Sequence, residues 1–200
     1  VMAINYTGHG ATYLLSHEMA LSLSDFEGFK GDRLPFWFTA ACDVMPFDSQ
    51  KRNIGEVAVL NEGGGALAFL GTTRTVYAFQ NWQLNRLFSK YLFGTDSKGE
   101  RYRVGDAIRL TKSALIGIES GSLRENKLQY ALLGDPALVI GNPLNKVRLD
   151  SIVSITSGVE LHNLRAGEAV KMYGHLEGPA GEALSDFMGV ISARVFDAVD

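Results

Sequence analysis

Two short motifs carry the reactive side chains of this 200-residue sequence. His9 lies between two glycines in the segment Asn-Tyr-Thr-Gly-His-Gly at residues 5–10, and Cys42, the only cysteine, ends the segment Phe-Thr-Ala-Ala-Cys. A thiol becomes an effective nucleophile near neutral pH when a nearby imidazole accepts its proton. The pair therefore predicts acyl transfer, in which Cys42 attacks a peptide carbonyl and His9 protonates the leaving amine.

Both motifs also have a purely structural interpretation. A glycine-flanked histidine is common in tight turns, and a lone cysteine is commonly inert packing. A metal site is the rival chemistry, and the side chains that offer ligand atoms near the motifs are His9, His17, Cys42 and Asp43. No second histidine follows His17 at helical spacing, so we predict no metal site and no cofactor. His162 and His175 are assigned to the surface or the core.

The elements that must position the two motifs are indicated by the hydrophobic pattern. Continuous apolar runs predict buried strands at residues 2–7, 34–39 and 66–70, with a further short strand at residues 137–140. Helical spacing predicts helices at residues 54–60, 84–92 and 104–115, and a weaker helical pattern covers residues 12–24. Strands that alternate with amphipathic helices indicate an α/β fold with a parallel sheet and helices on both faces.

In a parallel sheet, functional loops lie at the carboxyl ends of the strands, where both His9 and Cys42 are placed. If their strands are neighbours, about 4.8 Å apart, the two side chains converge over one cleft. The backbone N–H groups of Gly10 and Cys42 are then candidates for holding the oxyanion. Arg74 follows a third strand end, where it either meets a substrate carboxylate or makes a structural ion pair.

The pattern changes after residue 143. Alternating or β-branched runs at residues 147–155, 168–176 and 188–196 are separated by glycine and proline, and no convincing helix occurs there. We therefore place a domain boundary at residue 144 and predict a small all-β module, whole or in part, over residues 145–200. Within the first domain, the abrupt apolar start at Val1 suggests a piece of a longer protein.

The bulk composition excludes several classes of function. With 46% hydrophobic residues, the chain has enough apolar material for a sizeable core. Its formal net charge of −3 argues against a nucleic acid as the main partner. No apolar run approaches the roughly 20 residues of a membrane helix, so no transmembrane segment is predicted.

Four motifs in order resemble the gingipain-type cysteine peptidases. They are the His9 segment, Ala-Ala-Cys at residues 40–42, Gly-Gly-Ala at residues 64–66 with Leu-Gly-Thr-Thr-Arg at residues 70–74, and Leu-Gly-Asp-Pro-Ala-Leu at residues 133–138. The separation of histidine and cysteine, 33 residues (42 − 9), also suits that family. One difference is the segment Asp-Val-Met-Pro at residues 43–46, since gingipains usually carry a glycine shortly after the catalytic cysteine.

The resemblance implies a caspase-like domain over residues 1–144, followed by an immunoglobulin-like module. It implies a catalytic dyad of His9 and Cys42, with oxyanion donors on the backbones of Gly10 and Cys42. It also implies that the first strands of the sheet, and any acid that orients the histidine, precede Val1. Residues expected to line a substrate cleft are Thr72, Thr73, Arg74 and Tyr77.

Within the family, residues 72–77 and 81–85, together with Leu-Gly-Asp-Pro at residues 133–136, most resemble the sortases of type IX secretion in Bacteroidota. That resemblance implies a peripheral enzyme on the extracellular face of the outer membrane. Its expected partners are secreted proteins with a C-terminal signal, an anionic lipopolysaccharide that accepts the cargo through an amine, and other secretion components. Two alternatives remain open, a degradative gingipain-like protease and a catalytically silent scaffold of a secretion complex.

Overall fold

The computed structural model describes residues 2–117, 121–141, 145–178 and 181–192, and for residues 121–124 it describes the backbone alone. The chain divides into two compact units, residues 1–142 and residues 143–200. The strands, in chain order, are β1 (Ala3–Thr7), β2 (Gly10–Ala11), β3 (Leu14–Leu15), β4 (Leu21–Ser22), β5 (Phe36–Ala40), β6 (Ala68–Thr72), β7 (Tyr130–Leu133), β8 (Lys146–Ser154) and β9 (Val170–Glu177). The helices are α1 (Leu23–Gly28), α2 (Ile54–Leu60), α3 (Ala78–Leu92), α4 (Val104–Leu115) and a 3-10 helix (Gly121–Gln129).

The first unit is built on a four-stranded sheet in the order β1-β5-β6-β7. The strands β1, β5 and β6 run parallel, and β7 runs antiparallel to β6. Every residue of β5 and β6 is buried, which explains their continuous apolar sequences. The three predicted parallel strands are confirmed, with β6 beginning two residues later than the apolar run.

The two faces of this sheet carry separate hydrophobic cores. On one face Phe36, Phe38 and Leu70 pack with residues of α3 and α4. On the other face Trp37 and Phe69 pack with residues of α1 and α2. Alternate residues of a strand point to opposite faces, so one apolar run supplies both cores. The predicted α/β class, with helices on both sides of the sheet, is confirmed.

The helical prediction for residues 12–24 is wrong, because the segment consists of β3, β4 and turns, and only its last two residues lie in α1. The strands β2, β3 and β4 form a small antiparallel sheet. A sharp turn joins β3 to β4, and Ser16 and Met19 adopt positive φ values of 65° and 53° there. Non-glycine residues adopt this left-handed conformation rarely. Because no glycine marks this turn, the apolar spacing alone did not indicate it. Helical structure begins only at α1.

The strand predicted at residues 137–140 is also absent. Asp135 forms a turn instead, because its carboxylate accepts from the Ala137 N–H at 2.8 Å and its carbonyl accepts from the Leu138 N–H at 3.3 Å. The final strand of the sheet is β7, which precedes this turn and which the hydrophobic pattern did not predict.

In the second unit, the described residues include one antiparallel pair, β8 and β9, with a register shift between Leu149 and Ser151. The predicted immunoglobulin-like module remains a prediction. Of the strand predicted at residues 188–196, the described residues 188–192 are not in a strand, and the remainder lies outside the described residues. In the parts of the chain that the structure describes, no helix is long and apolar enough to cross a membrane.

Candidate active site

His9 and Cys42 occupy matching positions beyond two paired strands. In the parallel register of β1 and β5, Thr7 is the partner of Ala40, and each reactive residue lies two positions beyond its member of that pair. The Gly8 N–H donates to the Ala40 carbonyl at 3.3 Å, which continues the pairing past the strand ends. The two loops therefore leave the sheet side by side at its carboxyl edge, as the sequence predicted for functional residues.

Gly10 brings the histidine loop against the backbone of the cysteine loop. A Cβ atom at this position would lie 2.7 Å from the Ala41 Cβ and 2.9 Å from a Val44 methyl carbon. It would also lie 3.3 Å from the Cys42 carbonyl oxygen. Only glycine fits without displacing one of the loops. The close approach of the two loops therefore depends on the second glycine of the histidine motif.

The Gly10 N–H is not used by the small antiparallel sheet. Gly10 pairs with Leu15, and the Ser16 N–H donates to the His9 carbonyl at 2.9 Å. In an antiparallel ladder this arrangement makes Gly10 and Leu15 a non-hydrogen-bonded pair. The predicted oxyanion role of the Gly10 and Cys42 N–H groups stays a prediction, and the ladder leaves the Gly10 donor available for it.

Cys42 is a free, half-buried thiol that packs against the core formed by α3 and α4. Its S–H donates to the Val76 carbonyl at 3.4 Å, and the Val76 N–H donates to the sulfur at 3.5 Å. The next residue, Asp43, has a φ of +51°, a conformation that glycine adopts without strain. Its carboxylate accepts a hydrogen bond from the Thr75 hydroxyl at 3.2 Å.

A buried network of hydrogen bonds holds the segment after Val76, the residue whose backbone contacts the thiol. The Tyr77 N–H donates to the Asn126 side-chain oxygen at 2.8 Å. The Asn126 amide donates to the Asn81 side-chain oxygen at 3.2 Å, and the Tyr130 hydroxyl donates to the same oxygen at 2.8 Å. Burial raises the pKa of Tyr130, and the nearby Cys42 charge raises it further. Three separate segments thus meet next to the sulfur.

The four residues predicted to line a substrate cleft fall into two groups. Thr72 and Thr73 are buried, and their hydroxyls donate to the carbonyls of Ala41 and Gln129. Arg74 and Tyr77 are exposed. The exposed pair therefore offers side-chain surface to a substrate, whereas the threonines tie β6 to its neighbouring segments.

Arg74 already has an intramolecular partner. Its guanidinium makes a two-pronged ion pair with the Asp48 carboxylate and also donates to the Thr73 carbonyl at 2.6 Å. The hydrogen bonds from Arg74 lower the pKa of Asp48, and those to Asp48 raise the pKa of Arg74. Of the two alternatives drawn from the sequence, the structural ion pair is the one seen, so a substrate carboxylate would have to compete with Asp48.

The His9 side chain is exposed, and its ring lies against the ring of His17. The two ring centroids are 4.8 Å apart with an interplanar angle of 25°. The backbone of His9 is held independently, because its carbonyl accepts from the Tyr6 hydroxyl at 2.7 Å. Burial raises the pKa of Tyr6. The sequence pattern missed the histidine contact because it predicted a helix where the hairpin of β3 and β4 lies, with His17 in its turn.

The other histidines lie in the second unit. His162 is exposed, and the Nδ1 atom of His175 lies 2.8 Å from the Asp150 carboxylate, whose hydrogen bond raises the pKa of His175. Across the ranges that the structure describes, no group of three or more histidine, cysteine or acidic side chains is arranged to hold a metal ion.

Residues 1–141 match the family model of peptidase family C25. Among solved structures, the chain resembles the Arg-specific cysteine proteinase gingipain R (RgpB), with a TM-score of 0.64 and 17% identity over 76% of this chain and 37% of that one. It also resembles the complex of pro- and mature domains of RgpB from Porphyromonas gingivalis, with a TM-score of 0.64 and 13% identity over 92% of this chain and 53% of that one. The chain thus spans about a third to a half of the length of these structures. A search of curated proteins gives no match. At these identities the structural similarity shows the fold, which matches the caspase-like fold of the gingipains.

Proposed function

The chain belongs to peptidase family C25, and from that membership we propose that it is a cysteine endopeptidase whose nucleophile is Cys42 and whose proton carrier is His9. The observation that supports this proposal is the register of β1 and β5. It places both residues two positions beyond a directly paired Thr7 and Ala40, at the carboxyl edge of the sheet. A family match names the class of chemistry, and this register supports the choice of these two side chains for it.

The proposed reaction proceeds by acyl transfer. His9 takes the proton of the Cys42 thiol, and the sulfur attacks the carbonyl carbon of the scissile peptide bond. The backbone N–H groups of Gly10 and Cys42 donate to the oxyanion that forms. His9 then gives its proton to the departing amine, which leaves a thioester on Cys42. A water molecule or another amine resolves the thioester and regenerates the thiol.

We propose that an amine, rather than water, takes the acyl group from the Cys42 thioester, which makes the enzyme a sortase of the PorU type. This proposal rests on the resemblance of residues 72–77 and 81–85 to the sortases of type IX secretion. The enzyme would remove C-terminal signals from secreted proteins and join their new carboxyl ends to an anionic lipopolysaccharide. It would act on the extracellular face of the outer membrane with other secretion components. Gingipain RgpB has a solved complex of its pro- and mature domains, so one relative of this fold binds a protein segment.

The dyad is tested by alkylation of Cys42 with iodoacetamide in the intact protein. At about pH 6.5 an unperturbed thiol is mostly protonated and reacts slowly. We expect Cys42 to react much faster than a model thiol, and His9→Ala to abolish that excess while His162→Ala leaves it unchanged. Slow alkylation that is indifferent to His9 would contradict the dyad and favour a silent scaffold.

The sortase and protease alternatives differ in their products. Cargo with a C-terminal signal is incubated with the intact protein and a simple amine such as glycine amide, and the new carboxyl ends are analysed by mass spectrometry. A sortase yields cargo joined to the amine, and Cys42→Ser abolishes both cleavage and joining. If every new carboxyl end is hydrolysed even when the amine is in large excess, the result would favour a degradative protease.

A further inference from the structure

The stacked contact between His9 and His17 has no part in the chemistry described above. His9 follows a glycine and precedes another, and its side chain is exposed. An exposed side chain of this kind exchanges among its staggered rotamers on the picosecond to nanosecond time scale. The His17 ring, whose centroid lies 4.8 Å from that of His9, covers one side of the His9 ring and so occupies space that other rotamers of His9 would need.

The backbone around His17 is organised well enough for its ring to act as a support. The Met19 N–H donates to the Ser16 carbonyl at 3.2 Å, which closes a turn with His17 at its corner. The Ser16 hydroxyl accepts from the Glu18 N–H at 3.1 Å and donates to the Glu18 carboxylate at 2.7 Å. The same Ser16 donates its N–H to the His9 carbonyl. Ser16 therefore links the turn that carries His17 to the backbone of His9, the residue whose ring His17 contacts.

The charges near the two rings favour this arrangement. The hydrogen bond from Ser16 lowers the pKa of Glu18, with further contributions from its own backbone and from the charges of His17 and His9. A negatively charged carboxylate therefore lies close enough to both imidazoles to interact with them electrostatically. The rings lie nearly parallel, so their nitrogen lone pairs do not converge on one point, as metal ligands must.

We propose that His17 is a positioning residue, whose ring holds the His9 imidazole in the orientation from which it exchanges a proton with Cys42. The inference rests on the proposed dyad and adds to it the group that orients the exposed histidine. Restriction of a reacting group to one orientation raises the rate in proportion to the population gained. A stacked aromatic pair gives a population gain of roughly two- to tenfold.

The test measures iodoacetamide alkylation of Cys42 in the intact protein. We expect His17→Ala to lower the rate roughly two- to tenfold, the size of the lost stacking contact. His17→Phe keeps a flat ring and should restore most of the rate, whereas His17→Leu keeps the bulk without the ring and should not. Tyr13→Ala, which removes an exposed aromatic ring from the turn between β2 and β3 of the same small sheet, serves as the matched control and should react like the wild type.

Two further measurements separate positioning from general damage. Stacking displaces the NMR signals of the His9 ring protons through the ring current of its partner. That displacement should disappear in His17→Ala and remain in His17→Phe, whatever the reaction rate. In a His9→Ala background, His17→Ala should have no additional effect on alkylation. A circular dichroism spectrum of each variant checks that the chain is folded.

The outcomes distinguish this inference from the dyad. If His9→Ala does not lower the rate, the dyad itself is wrong. If His9→Ala lowers the rate but His17→Ala does not, or if His17→Phe is as slow as His17→Leu, the positioning role is overturned while the dyad stands. If His17→Ala unfolds the hairpin, the comparison of His17→Phe with His17→Leu decides the question by itself.

Discussion

The network of Asn81, Asn126 and Tyr130 gives a quantitative test of how the thiol is supported. All three side chains are at least 96% buried. The Asn81 side-chain oxygen is the shared acceptor, because it receives both the Asn126 amide and the Tyr130 hydroxyl. Asn81→Ala therefore leaves two buried donors without their acceptor, whereas Tyr130→Phe removes one donor and leaves the other bond intact.

The expected losses of stability follow from these counts. A buried polar group that loses its partner costs about 1–3 kcal/mol, so Asn81→Ala, which leaves two such groups, should lower the free energy of unfolding by about 2–6 kcal/mol. Tyr130→Phe should cost about 1 kcal/mol, the net value of one hydrogen bond. Asn126→Ala should fall between the two, because it frees the partly buried Tyr77 N–H and keeps the bond between Asn81 and Tyr130.

Urea unfolding of the intact protein, followed by circular dichroism, gives the three values, and alkylation of Cys42 gives their effect on the site. Asn126→Ala should slow alkylation, because Tyr77 adjoins the Val76 backbone that contacts the sulfur. Tyr130→Phe keeps the Tyr77 N–H bound and should react at a rate close to that of the wild type. The reasoning is refuted if Tyr130→Phe costs as much stability as Asn81→Ala.

Three further changes test other contacts. Gly10→Ala should cost about 1–3 kcal/mol in urea unfolding and slow alkylation, because its methyl group overlaps Ala41; Ala41→Gly in the same chain should recover part of both losses. Asp43→Ala should be less stable than Asp43→Gly by about 1–2 kcal/mol, since φ is +51°, and equal stabilities would contradict the strain. Protonated His175 pairs with Asp150, and the pairing raises the pKa of His175 above 6.5. The stability that this pair contributes is therefore complete below pH 6.5 and is lost as the pH rises through the folded-state pKa of His175. Asp150→Asn should lower the pKa of His175 in an NMR titration, and an unchanged titration would exclude the pairing.

The sheet could be predicted from the sequence wherever burial on both faces leaves a continuous apolar run. That pattern identified β1, β5 and β6, and helical spacing identified α2, α3 and α4. The same reasoning failed for the segment after His9, because β2, β3 and β4 contain two residues each and are too short for a period of two to show. It also failed for β7, whose four residues directly follow a 3-10 helix.

The site was predictable to the extent that it lies at strand ends. His9 and Cys42 follow the strands that the apolar runs identified, so topology alone brought their loops together. The support around them was not predictable, because Val76 contacts the thiol from a position 34 residues further along the chain (76 − 42). Asn126, which binds the Tyr77 N–H, lies 84 residues beyond Cys42 (126 − 42). Contacts at such separations depend on the folded path of the chain and leave no local pattern in it.

The two halves of the proposed dyad are held in different ways, and this difference directs how variants should be interpreted. Cys42 packs on a hydrophobic core and contacts the Val76 backbone, so changes that release this backbone alter stability and reactivity together. The His9 and His17 side chains are exposed, and substitutions at exposed positions usually change stability by less than about 0.5 kcal/mol. A loss of reactivity in a His17 variant that unfolds like the wild type would therefore reflect the orientation of the imidazole. A parallel loss of stability would place the effect in the hairpin.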